Sequence, residues 1–113
     1  MLSAGFAISG TTAKTVLIRV SGPTLGSYGV PGTMTDPQLN VFSGTTVIAS
    51  NAGWAGDTSI TAANSATGAF QFASASSKDS AVVMTLAPGA YSVQATSISG
   101  SAGAAMIEVY EVQ

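Results

Sequence analysis

Residues 14–20 read Lys-Thr-Val-Leu-Ile-Arg-Val and stop at Ser21-Gly22-Pro23. Four of these seven side chains branch at Cβ, which favours a pleated backbone, and Gly-Pro ends the run. Working outward, a period of two recurs. Residues 38–42, Gln-Leu-Asn-Val-Phe, alternate polar and apolar and turn at Ser43-Gly44, so 45–50 reads as the returning arm of a hairpin. Residues 3–9 around Phe6 and Ile8 make a first strand. Residues 69–73 set Phe70 and Phe72 on one face of a short one. Residues 80–86 end at Ala87-Pro88-Gly89, residues 90–97 place Tyr91, Val93 and Ala95 on one side, and residues 104–112 alternate Met106, Glu108, Tyr110 and Val112 against Ile107, Val109 and Glu111. The expectation is a single all-β domain over 1–113, an antiparallel β-sandwich of about eight strands. Only 55–66 permits a helix, and weakly, because Thr58, Ser59 and Thr61 are poor helix formers; Asp57 is placed to cap one short turn there.

Composition narrows the chemistry. The 113 residues hold three Lys or Arg, five Asp or Glu, no His and no Cys, for a net charge of −2. That removes thiolate and His-containing zinc sites, thiol nucleophiles, Ser-His-Asp triads and disulfides. Three cations cannot neutralise a run of phosphates, so no nucleic acid is expected as a partner, nor an anionic membrane surface. No apolar run is long enough for a spanning helix, so no membrane insertion is expected. Met1-Leu2-Ser3 shows no basic leader, so an exported chain would have lost its signal or be part of something longer. The charged fraction is 7%, against about 25% in ordinary soluble domains. Ala, Ser, Thr and Gly fill more than half of the chain instead. Such a surface has few charges to hold neighbours apart.

The carboxylates are few enough to weigh singly. Asp36 precedes Pro37 in a turn, Asp57 follows the Gly-rich loop at Trp54, Asp79 follows Lys78, and Glu108 and Glu111 point to opposite faces of the last strand. Calcium would need oxygens converging from Asp36, Asn51, Asp57 or Asp79, and no EF-hand or Asp-x-Asp spacing is present; caps and turns are the commoner use, so no cofactor or metal is expected. Arg19 sits inside an apolar strand, so its head must reach an edge or meet a carboxylate. An ion pair with Glu108, Asp36 or Asp79 is the structural reading, a contact to a ligand carboxylate or sugar the functional one. Lys14 and Lys78 read as solvated. No Gly-x-Ser-x-Gly or Ser-x-x-Lys spacing activates a serine, and Gly100-Ser101-Ala102-Gly103 reads as a turn, so no enzyme is expected. Trp54, in Asn51-Ala52-Gly53-Trp54-Ala55-Gly56, would either plug the end of the sandwich or offer its indole to a sugar. Tyr91, after Pro88-Gly89-Ala90, reads as a structural corner tyrosine.

These residues together resemble a family of β-sandwich modules found, often in tandem, in large secreted and cell-surface bacterial proteins. The resemblance spans nearly the whole chain. It runs through Gly5-Phe6, Ile8 and Gly10; Val16-Leu17-Ile18-Arg19; Gly22-Pro23; Asp36-Pro37 with Leu39; Asn51 and Trp54; Gly68-Ala69-Phe70; Thr85-Leu86 with Pro88-Gly89 and Tyr91; and Glu108-Val109-Tyr110. The stretch Leu86-Ala87-Pro88-Gly89-Ala90-Tyr91 also looks like prepeptidase-type C-terminal sandwiches. The resemblance implies a jelly-roll-like sandwich, an extracellular or cell-surface setting, and no catalytic residues to carry over. Relatives carry more acid where this chain has Ala52-Gly53, which weakens a metal reading.

Two functions follow as expectations. The first is a secreted structural subunit that assembles with itself into a fibre or surface layer by adding strands at its edges, through Phe6 and Ile8 at one end of the chain and Val109 and Val112 at the other. The alternative is a carbohydrate-binding or adhesive module that meets a surface glycan with Trp54, Asn51 and Asp57.

Overall fold

The computed structural model describes residues 1–100 and 102–112. Along the chain run β1 (Leu2–Ile8), β2 (Lys14–Ser21), α1 (Pro23–Ser27), β3 (Pro37–Ser43), β4 (Thr46–Asn51), α2 (Thr58–Thr67), β5 (Ser80–Leu86), β6 (Gly89–Ser97) and β7 (Met106–Glu111). They form two antiparallel sheets, one in the order β1-β6-β3-β4 and one in the order β5-β2-β7.

Strand β2 organises the molecule because both of its faces are covered. Val16, Ile18 and Val20 point to the four-stranded sheet and pack with Leu39, Val41, Val93 and Ala95. Leu17 points the other way, into a second cluster with Trp54, Ile60, Ala63, Phe72 and Ala81. The result is sheet on sheet with a further layer of helix and loop behind the three-stranded sheet. A strand buried on both faces needs a near-continuous apolar run, which is what Val16–Val20 supplies apart from Arg19. Each fully buried aliphatic side chain contributes roughly 1.5–3 kcal/mol.

Seven strands form among the described residues, where about eight were expected. The missing one is 69–73, which has no ladder. Two of its backbone groups bond side chains instead: the Phe70 carbonyl accepts from Arg19 Nη1 at 2.5 Å, and Ala73 N donates to Thr24 Oγ1 at 2.9 Å. The alternation of Phe70 and Phe72 serves contact with Arg19 and not a pleat. The helical stretch is longer than one turn. Asp57 caps α2, its Oδ1 accepting from Ser59 N at 2.8 Å, and Gly68 ends it in the left-handed region. Poor helix formers are held helical because Ile60, Ala63 and Asn64 are buried. The turn expected over Gly100-Ser101-Ala102-Gly103 lies partly outside the described residues. Tyr91 does behave as a corner: its hydroxyl donates to the Ala87 carbonyl at 2.6 Å.

Two glycines pinch one backbone. A Cβ on Gly22 would stand 2.3 Å from the Met34 carbonyl oxygen, and one on Gly103 would stand 2.5 Å from Met34 N. This close approach lets Met34 N donate to Ala104 O at 2.7 Å and Ala104 N to Gly32 O at 2.8 Å, which ties the 30–36 loop to the chain entering β7. Replacing Gly22 with Ala forces backbone apart from backbone. Chemical denaturation of Gly22→Ala is expected to show a loss of about 1–3 kcal/mol or more.

Candidate functional site

One polar constellation surrounds Arg19, whose side chain is fully buried. It lies on the face of β2 that meets the helix layer. Register places it opposite Glu108 on β7, and Nε donates to Glu108 Oε1 at 3.1 Å. Nη1 donates to Asn64 Oδ1 on α2 at 2.9 Å as well as to the Phe70 carbonyl. The guanidinium carbon lies 4.2 Å from the Phe70 ring centroid and 4.5 Å from that of Phe72. A buried cation is tolerable when its donors are filled and aromatic faces oppose it. Glu108 is held from its other oxygen by the Tyr110 hydroxyl, and that bond, with burial behind it, raises the Tyr110 pKa above its usual 10.0. The partner of Arg19 is therefore Glu108, and neither Asp36 nor Asp79 takes that place.

The column continues on both sides. Tyr28, 63% exposed, packs edge-on to Phe70 at 5.2 Å, and Trp54 packs on Phe72 at 5.1 Å. Only 6% of Trp54 is exposed, and its indole Nε1 donates to the Ser74 carbonyl and to Ser77 Oγ, each at 3.1 Å. The indole has no open face for a sugar ring. Asn51 and Asp57 are also engaged internally. Asn51 Oδ1 accepts from Ala81 N at 3.1 Å, lashing β4 to β5, and Asp57 caps α2.

Asp79 is a second buried group, which the sequence offered as a loop acid, a partner for Arg19 or a calcium ligand. Its Oδ1 accepts from Gly22 N at 2.8 Å and Thr24 N at 3.1 Å, its Oδ2 from Thr24 Oγ1 at 2.5 Å and Ser77 Oγ at 2.7 Å. A carboxylate removed from water needs its lone pairs filled, and these four donors fill them. It locks the start of α1 to the strand entry at Ser80. Asp36 is half-buried and ties the loop after β6, accepting from Ser97 Oγ at 2.8 Å and Ser99 N at 3.1 Å. The bond from Ser97 leads in holding its pKa below the ordinary 3.8, and the bonds from Ser59 do the same for Asp57.

Among the described residues, no three acidic side chains gather as a metal set, and no helix is long and apolar enough to cross a membrane. A cleft of about 620 Å³ opens between β1, the end of β6 and the chain before β7, walled by Met1, Leu2, Met34, Thr96, Ala104 and Ala105. It has no charged side chain among the residues that wall it.

The strand edges complete the inventory. β1 and β4 bound the larger sheet, β5 and β7 the smaller. Neither β1 nor β4 carries a charged residue or a proline. β4 is broken by a bulge: Val41 pairs with Ala49 and Phe42 with Val47, leaving Ile48 out of register. β7 carries Glu108 and Glu111. The leading end of β5 is met by Asn51, and Asp79 just before it by Trp54 N. Phe6 and Ile8 are half-buried against the inter-sheet core, with Phe6 stacked on Tyr91 at 5.6 Å. Val109 is exposed on β7, while Val112 N is already bonded to the Thr15 carbonyl.

Removing one partner of the ion pair strands the other. Glu108→Ala is expected to cost about 3 kcal/mol by chemical denaturation, and the double variant Arg19→Met/Glu108→Leu to recover much of that loss. Stability should also depend on acid. Asp36 and Asp57 have depressed pKa values in the fold, so their contribution is complete above the ordinary 3.8 and is lost as pH falls below it. Thermal melts of Asp36→Asn between pH 5 and pH 2 should fall less steeply than those of the wild type.

Comparison with protein-family models, with curated proteins and with solved structures found no match for this chain.

Proposed function

We propose that this protein is a non-catalytic structural module of an extracellular or cell-surface assembly, a jelly-roll-like sandwich that joins further copies of itself through its strand edges. The observation that carries this reading is the four-stranded sheet, whose two edge strands β1 and β4 carry no charged residue and no proline. Soluble monomers ordinarily guard such edges with Lys, Glu, Pro or a cover. The bulge in β4 is one such guard, and β1 has none. Scarcity of charge adds to it: Arg19 is buried, which leaves Lys14 and Lys78 as the basic side chains at the surface of the described residues. The polar clusters support the same reading, because their donors and acceptors are spent on holding the layers together. A glycan-binding role has less support, since the Trp54 indole is enclosed.

Light scattering and negative-stain imaging across a concentration series, with calcium and with chelator, test the proposal. Assemblies larger than the 11.1 kDa chain are expected in both. Monomers alone at high concentration would overturn it. Lysines at Ser3 and Ala7, exposed positions on the outer face of β1, are expected to raise the concentration needed for assembly roughly tenfold or more, with an unchanged circular-dichroism melt.

A further inference from the structure

We infer that β1 pairs antiparallel with β1 of a second copy about a two-fold axis at Gly5, joining two four-stranded sheets into one sheet of eight strands. The inference rests on the self-assembling reading above and names its contact.

Of the strand edges, β1 is the one that is regular, uncharged and uncovered. It keeps unbroken register with β6 from Leu2↔Ala95 to Ile8↔Gly89. The other three edges carry the bulge at Ile48, the two glutamates of β7, and the Asn51 contact on β5.

The order of residues in β1 suits self-pairing. Opposite residues in an antiparallel pair point to the same face. Leu2, Ala4, Phe6 and Ile8 share the face of Val93 and Ala95, toward the second sheet, and Ser3, Gly5 and Ala7 share the outer one. With Gly5 on the axis, Leu2 stands opposite the partner's Ile8, Ala4 opposite the partner's Phe6, and Ser3 opposite the partner's Ala7. Each inward pair is apolar, the Ala–Phe pair matches small to large, and each outward pair is small. No like charges meet.

The cleft beside β1 gives a second reason. Leu2 is 40% exposed and forms part of its wall. The proposed register brings the partner's Ile8 beside Leu2 and covers it. The axis stands normal to the sheet, so both copies keep their three-stranded sheets on the same side.

The chain has no cysteine, so one introduced thiol reports cleanly. A Cβ on Gly5 meets nothing nearer than the Tyr91 carbonyl oxygen at 3.8 Å, so Gly5→Cys fits the fold. Opposed Cα atoms about 4.5–5.5 Å apart lie within disulfide reach. Under mild oxidation Gly5→Cys is expected to form a covalent dimer at least roughly tenfold more than Ser3→Cys alone, while an equimolar mixture of Ser3→Cys and Ala7→Cys cross-links. That mixture carries the test should Gly5→Cys fail to melt like the wild type. Cross-linking of Gly5→Cys to Ser50→Cys, and not to itself, would mean a head-to-tail β1–β4 contact and overturn the inference. Large assemblies with none of these cross-links would overturn it and leave the structural role standing. Monomers at every concentration would overturn both.

Discussion

A guanidinium held out of water in the middle strand of a three-stranded sheet is the constraint on which the rest of this molecule depends. Arg19 cannot be buried unless Glu108 comes from β7, Asn64 from α2, a carbonyl from Phe70, and two aromatic rings from the same loop. The partners come from three places: β7, α2 and the loop at 69–73. Satisfying one side chain therefore fixes the helix layer against the sheet and sets β7 beside β2. In the irregular segment 69–73 a carbonyl is committed to Arg19 and an amide to Thr24, groups that a strand would offer to a neighbour.

Asp79 plays the complementary part at the other end of that layer. Its donors come from the turn after β2, from α1 and from the loop before β5, and Ser77 links it to the Trp54 indole. Two buried charges, each closed by its own shell, thus anchor the segment between β4 and β5. Of the eight Lys, Arg, Asp and Glu side chains, Arg19 and Asp79 are buried and Glu108 is half-buried beside Arg19, which leaves few charges at the surface. What remains outside is a surface of Ala, Ser, Thr and Gly, with strand edges that carry little to repel a copy of themselves.

The fold was largely legible in the chain. Alternation, Cβ branching and turn residues located the seven strands of the described residues and the 43–46 hairpin, Asp57 was placed at the helix start, and Glu108 was among three candidates for Arg19. Other features were not legible. The alternation at Phe70 and Phe72 looks like a strand, because period two records which side chains share a face and says nothing of what the backbone bonds to. Trp54 was equally consistent with a buried plug and a displayed indole. Asp79 gave no sign of burial, because its four donors come from residues 22–24 and 77, and most of them lie far away in the sequence.

By itself the sequence determined where the chain extends and turns, and how little charge the surface would carry. Both are local properties, set by Cβ branching, glycine, proline and composition. The tertiary structure alone decided which acid meets Arg19, that a stretch of poor helix formers runs helical for ten residues, and which strands lie at the edges. Those outcomes depend on burial and on bonds between residues far apart in the chain. A hydrogen bond or a packed face has no value until its distant partner arrives, so no local pattern encodes it.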